Sequence, residues 1–290
     1  MKKLILIALS LFIFSGCVSE GKTNISNEKE VIYTLENYKL TKGDTYDLML
    51  SQVGYMAILN EAQNYIMNQK VTLSDEDNKK IDEELKNIKD MYPTGWEEAL
   101  TQSGFANEQA FKDTITLNKK NEIMINDYIS GRFDELVTLY SPKQIQVMSY
   151  TDLETANSAL AEVKDNVDFE EVAKTYKFTG NAAKYVYTNQ AALPFDVKTF
   201  IDKGTNNQLS DVITETITNQ ETEEESQKYY IVKVVETNSA NFKDDIIKSL
   251  SSMEHINTEM LVDYFNEYDF KVYNQDIKDF IDNINPDFLG

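Results

Sequence analysis

One cysteine and one histidine are all that these 290 residues offer to thiol or imidazole chemistry. Cys17 closes the run Leu11-Phe12-Ile13-Phe14-Ser15-Gly16-Cys17, and His255 sits far downstream in Ser252-Met253-Glu254-His255-Ile256. A zinc site built on several imidazoles cannot form from a single histidine. A Ser–His–Asp triad would have to use His255, which falls in a helical pattern with no G-x-S-x-G elbow. The 49 acidic residues invite a calcium site, but no D-x-[DN]-x-[DN]-G loop occurs. No Gly-rich phosphate loop is present, so neither a metal nor any other cofactor is expected.

Cys17 has a different chemistry in view. Lys2 and Lys3 supply a positive start, Leu4 to Phe14 an apolar stretch and Ser15-Gly16 a small-residue cleavage site, which is the layout of a secretory signal. The apolar run falls well short of the roughly 20 residues of a spanning helix. Together these residues resemble the lipobox of bacterial lipoproteins, with Phe14 where Leu or Val is usual. The resemblance implies that residues 1–16 are removed and that Cys17 is the lipid attachment site. It places the chain on the extracytoplasmic face of the cell membrane, held by its acyl chains (palmitate among them), each buried methylene contributing about 0.8 kcal/mol. A lipidated cysteine cannot serve in a Cys–His pair, and with no second thiol no intramolecular disulfide can form.

Removing 16 residues leaves 274, enough for two ordinary domains, and losing Lys2 and Lys3 takes the formal charge from −21 to −23. Such an acidic surface argues against nucleic acid and against docking on anionic lipid. It is compatible with basic partners.

The elements read as follows. Residues 17–30 are a polar tether. Val31 to Leu40 alternates as a short strand, and Tyr46, Leu50, Val53, Ala57 and Ile58 return to one face of a helix. Ser74-Asp75-Glu76-Asp77 is a capping box before the stripe Ile81, Leu85, Ile88, Tyr92. A short helix over Trp96–Gln102 and a longer one carrying Phe111, Ile115, Met124 and Tyr128 complete a helical region up to Tyr140. Ser141-Pro142 marks a boundary. Beyond it come a strand over Lys143–Tyr150, helices carrying Ala156, Ala159, Leu160, Val163 and then Phe169, Val172, Ala173, Tyr176, and a strand over Lys184–Thr188. A short helix over Phe195–Lys203, an acidic loop over Asn219–Gln227 and a β-rich strand over Tyr229–Val235 follow. After Asn238 the pattern is helical again, and the last twenty residues are expected to end disordered.

This order of elements in the central segment resembles the parvulin-type prolyl isomerase domain. Asp168-Phe169-Glu170-Glu171-Val172-Ala173-Lys174-Thr175-Tyr176 is similar to its acidic-Phe helix, Pro194-Phe195 with Phe200 and Lys203-Gly204 to its pocket helix, and Tyr229-Tyr230-Ile231-Val232-Lys233-Val234 to its closing strand. Leu100-Thr101-Gln102-Ser103-Gly104 and Phe111-Lys112-Asp113 resemble the SurA-like helical chaperone domain of PrsA-type foldase lipoproteins. The resemblance implies an α+β fold: a helical chaperone domain from residues 31–140 and 238–290, with a parvulin-like domain over 141–237 inserted.

Active parvulins pair two histidines across the sheet, near a cysteine or aspartate. The matching positions here are Gln146 and Tyr230, and Phe178-Thr179-Gly180-Asn181-Ala182-Ala183 brings no acid to the usual loop. Prolyl isomerisation has a barrier near 20 kcal/mol and depends on a shaped, polar pocket. Loss of that set implies a degenerate groove, with Met148, Phe195 and Phe200 as its apolar lining, unless these are plain core. The expected function is an extracytoplasmic chaperone for unfolded secreted proteins, with weak or absent isomerase activity and no catalytic residue assigned. Pairing of two chains as a homodimer stays open. The alternatives are an active isomerase with an atypical site, or a surface solute-binding or adhesive lipoprotein.

Overall fold

The structure, a computed structural model, describes residues 25–35, 38–218 and 223–289. The leader, Cys17, the tether up to residue 24 and the centre of the acidic loop lie outside the described residues. The chain is α+β and divides into two compact units: Met1–Asp127 with Glu254–Gly290, and Tyr128–Met253.

The first unit opens with an antiparallel hairpin rather than one strand, β1 (Val31–Leu35) pairing β2 (Tyr38–Thr41). Residues 25–30 are not tether-like: Gly43 and Lys42 donate their backbone N–H groups to the carbonyls of Glu28 and Glu30. Thr41 caps α1 (Lys42–Met49) in a reciprocal box with Asp44, satisfying two donors that a helix start leaves orphaned. One π-helical turn (Leu50–Gly54) joins α1 to α2 (Tyr55–Lys70). Ser74 and Asp77 form the capping box of α3 (Asp75–Asp90), as the sequence predicts. Gly95, at φ 83°, takes the left-handed turn that stops the chain before α4 (Trp96–Gln102), and α5 (Glu108–Gly131) runs to the unit boundary and beyond.

The second unit begins with the end of α5 and with α6 (Phe133–Tyr140). Ser141, at φ 46°, and Pro142 end that helix and release β3 (Lys143–Tyr150). Asp152 caps α7 (Leu153–Lys164), and Asp168 caps α8 (Phe169–Thr175) by accepting from the N–H groups of Glu170 and Glu171. Then come β4 (Tyr185–Tyr187), α9 (Phe195–Lys203), β5 (Gln208–Leu209), β6 (Ile213–Thr218), the long β7 (Glu225–Glu236) and α10 (Lys243–Ser251). The sheet is antiparallel in the order β4-β3-β7-β5, and β6 adds to β7 beyond β5. Part of the expected acidic loop is therefore strand, because Thr216, Ile217 and Thr218 pair with Gln227, Ser226 and Glu225.

Lys143 ties the sheet to α9. Its ammonium donates to the carbonyls of Ile201, Asp202 and Gly204 at 2.7–3.0 Å, at the negative end of the helix dipole. Charged hydrogen bonds of this kind each contribute about 1.5–3 kcal/mol before the cost of partial burial is subtracted. Lys143→Met should therefore lower stability by about 1–2 kcal/mol in urea unfolding, against an expected shift below 0.5 kcal/mol for an exposed lysine away from such features.

Glu236 closes β7. Its carboxylate accepts from the backbone N–H groups of Asn238 and Thr237 and from the amides of Asn241 and Asn206. These bonds, the Asn238 N–H foremost, bring its pKa down to about 2. A depressed pKa contributes stability that is fully present above the unfolded carboxylate value and is lost as pH falls from about 4.5 to about 2. Acid titration of folding stability should show a weaker dependence in that window for Glu236→Gln than for the parent chain.

The chain then returns to the first unit as α11 (Glu254–Glu267) and α12 (Gln275–Ile284). The expectation of a disordered end is corrected here: Asn274 caps α12, whose Ile277 and Ile281 are buried one turn apart. Phe265 stacks on Phe270 and meets Phe288 edge-on, while Lys70 of α2 pairs with Glu267 at 2.7 Å and lies over the Tyr264 ring.

Candidate functional site

The sheet of the second unit is buried on both faces. Ile145 and Val147 of β3 join Tyr230, Val232 and Val234 of β7 on one face, packed with Tyr187, Val197 and Ile201 and against Phe200. Met148 and Tyr150 join Tyr229 and Ile231 on the other, against α7 and α8. Register makes this unavoidable: Ser149 lies opposite Tyr230 and Gln146 opposite Lys233, and successive strand residues point to opposite faces.

The five residues expected to line one groove are therefore divided. Gln146 and Met148 lie on the α7–α8 face, Tyr230 and Phe200 on the α9 face, and Phe195 is 81% exposed at the start of α9. Gln146 is buried and donates through Nε2 to the carbonyl of Ala182 at 3.1 Å, a bond that satisfies a core amide. Met148 is core, its sulfur accepting from the Tyr150 hydroxyl. A shift of one residue in the alignment of a strand carries a side chain through the sheet. On the Tyr230 face the β3 residues are Ile145, Val147 and Ser149.

Around Tyr230 the sequence reading missed Glu215 of β6. The phenol donates to its Oε2 at 2.8 Å, and the Lys228 ammonium stands 5.2 Å from the ring centroid. Burial first, then the bond to Glu215 and its negative charge, push the phenol well above the usual tyrosine range. Tyr230 is thus a neutral, oriented donor at physiological pH. Residues 128–253 contain no histidine and no cysteine, so no imidazole or thiol of this unit can join it. The alternation Ile213-Thr214-Glu215-Thr216-Ile217 was the available signal for β6, hidden by the acidic run that follows.

The first unit presents a different surface. Val31, Ile32, Tyr33, Leu35 and Tyr38 of the hairpin are all exposed, Leu35 at 68%. Leu48, Met49, Val53 and Met56 add exposed apolar side chains along α1, the π turn and α2. Beside them lies a cleft of about 780 Å³ walled by Leu48, Leu50, Tyr55, Ile277 and Phe280, with Asp44, Asp47 and Asp276 also in its lining. Tyr55 and Phe280 stack with ring centroids 3.5 Å apart. Gly54 ends the π turn, and a Cβ there would stand 2.7 Å from Cδ1 of Leu50, so a side chain at this position would displace the end of Leu50. Single π turns occur often at functional sites. Apolar area, flexible methionines and carboxylates can hold an unstructured chain without chemistry on it.

His255 is exposed at the start of α11. Among the described residues no group of three or more His, Cys, Asp or Glu could hold a metal ion, and no helix is long and apolar enough to cross a membrane.

No family model matches the chain. It is 25% identical over 155 residues to the foldase protein PrsA of Geobacillus sp. (strain WCH70), a match covering 52% of this chain and 54% of that protein. It is 26% identical over 182 residues to the foldase protein PrsA of Geobacillus kaustophilus, covering 61% and 60%. The chain thus spans little more than half the length of these curated relatives. The crystal structure of a peptidylprolyl isomerase (PrsA) from Bacillus cereus aligns over 90% of this chain and all of that one, at 16% identity and a TM-score of 0.49. On the sequence matches, the resemblance carried by the helical and parvulin-like motifs stands: this chain is similar to the PrsA-type foldases.

Proposed function

We propose that this protein is a lipid-anchored chaperone of the extracytoplasmic membrane face, which binds secreted polypeptides after translocation and assists their folding. The observation that carries the reading is the exposed apolar surface of the first unit, where hairpin, α1 and α2 leave Ile32, Leu35, Leu48, Val53 and Met56 in solvent. Large apolar side chains exposed together on neighbouring elements suit an interaction surface, and low specificity is what a holding chaperone needs. The helical chaperone domain is assembled from the N- and C-terminal segments. The inserted parvulin-like domain serves as a spacer or accessory binding module. Its degenerate groove would centre on Tyr230, Glu215 and the exposed Phe195, with isomerase activity weak or absent. Cys17 supplies the anchor, and the proposal holds for a single chain or a homodimer.

The second reading, an active prolyl isomerase, is favoured by the oriented Tyr230–Glu215 pair, which keeps one fixed polar group on the α9 face of the sheet. Two assays on residues 17–290 separate the readings. Aggregation of a thermally unfolded secreted enzyme should fall as the chaperone approaches equimolar amounts. Refolding limited by proline isomerisation, which takes roughly tens to hundreds of seconds unaided, should accelerate by less than about twofold. Strong acceleration, lost in Tyr230→Phe, would instead make the isomerase the main function. Cys17→Ser should move the protein from the membrane fraction to the soluble fraction; unchanged membrane recovery would refute the anchor.

A further inference from the structure

The cleft of the first unit differs from the exposed patch beside it in being both apolar and acidic. Leu48, Leu50, Tyr55, Ile277 and Phe280 can take a large apolar side chain, and Asp44, Asp47 and Asp276 line the same space with no lysine or arginine among the lining residues. We infer that this cleft selects client segments in which lysine or arginine adjoins a large apolar residue; the inference rests on the chaperone reading and deepens it.

Charge complementarity favours such segments. Three carboxylates share a cleft of about 780 Å³ in a chain whose formal charge is −21. Asp44 stays ionised, because hydrogen bonds from the Thr41 side chain and backbone hold its carboxyl below the usual range. A divalent metal is the wrong occupant: its ligands would have to converge, and no such group of three forms among the described residues. Spread carboxylates suit the long stems of lysine and arginine, which lay methylenes on apolar walls while the charged head reaches outward. A wholly apolar segment would find no use for the carboxylates, and an acidic one would be repelled.

The test uses residues 17–290 and three labelled peptides of equal length and leucine content, with lysine, serine or glutamate at every other position, read by fluorescence anisotropy. Two lost carboxylate–ammonium contacts correspond to about a tenfold change in affinity. The lysine peptide should bind about tenfold tighter than the serine peptide, and the glutamate peptide most weakly. In 1 M salt, where the screening length shrinks to about 3 Å, the three should converge. Asp47→Asn with Asp276→Asn should bring the lysine peptide to within about threefold of the serine peptide and leave the serine peptide unchanged. Phe280→Ala should weaken all three.

Equal affinities in the parent chain would overturn the inference, as would a lysine preference undiminished in the double asparagine variant, which would place the selectivity elsewhere on the acidic surface. If no peptide binds yet aggregation is still suppressed, the cleft is not the client site and the chaperone reading survives. If both fail, that reading falls as well. A loss in Phe280→Ala counts only where its thermal unfolding matches the parent; the asparagine pair, which keeps shape and volume, decides the matter regardless.

Discussion

Replacing Phe265 by alanine is expected to destabilise the first unit by about 3–5 kcal/mol, the largest single-residue effect foreseen for it. Phe265 is 1% exposed, stacks on Phe270 at 4.7 Å and meets Phe288 edge-on at 5.4 Å. Alanine would remove the ring that joins α11 to the turn after it and to the C-terminal 3₁₀ turn. Phe270 and Phe288, the two rings left, would each lose the partner they pack against. With native proteins only about 5–15 kcal/mol more stable than their unfolded states, this is a large share of what the unit has. Trp96 is the chain's one tryptophan, lies in the same unit and is nearly buried against Phe111. Its fluorescence is therefore a local reporter. Urea unfolding followed through Trp96 should shift to markedly lower denaturant in Phe265→Ala. Phe169→Ala, an equally buried ring in the second unit, should lower that unit's stability by a similar amount while the Trp96 transition stays close to the parent's. A Phe265→Ala midpoint within error of the parent would show that the C-terminal segment does not bear on the N-terminal helices' stability.

How much of this could be read from the sequence depends on how local the determining forces are. The capping box at Ser74 and Asp77 is complete within four residues, and the structure forms it as expected. The stripe at Ile81 and the strands β3 and β7 were equally legible, being set by short-range periodicity. The face on which Gln146 lies was not. Lys143–Tyr150 alternates, setting Gln146 and Met148 apart from Ile145 and Val147, but both faces of β3 are buried, Gln146 included, so the alternation does not say which face meets Tyr230. Only pairing with β7 settles that it stands opposite Lys233 and away from Tyr230. Strand β6 was hidden for a related reason: Ile213 to Thr218 becomes a strand by adding to an edge supplied by residues 225–230. The cleft was beyond any local reading, because its walls come from residues 44–55 and 276–280, and the latter were expected to lack structure. Ile277 and Ile281, four apart, were the overlooked sign of a buried helical face.

The second large effect concerns function without stability. Ile32→Thr, Leu35→Thr, Val53→Thr and Met56→Gln, made together, should abolish most of the suppression of aggregation while changing folding stability by no more than about 1–2 kcal/mol. All four side chains are exposed at 41–68%, so their truncation leaves no cavity, and substitutions at such positions individually stay near 0.5 kcal/mol. Threonine keeps the β-branched shape of Ile32 and Val53 and suits the pleat of β1 at Leu35, and glutamine keeps the unbranched stem suited to α2. What changes is the apolar area a client can cover. Removing roughly 60–100 Å² of it at each position, at about 25 cal/mol per Å², withdraws several kcal/mol of contact before the cost of immobilising the client is counted. That is enough to turn a micromolar complex into one too weak to compete with aggregation. The asparagine pair in the cleft should behave differently, lowering affinity for basic segments while leaving neutral clients protected. A quadruple variant that folds like the parent and still protects would remove the hairpin and α2 from the client surface. It would shift the burden to Phe195 and the Tyr230 face of the sheet unit, where Tyr230→Phe and Phe195→Ser would then be the variants to lose protection.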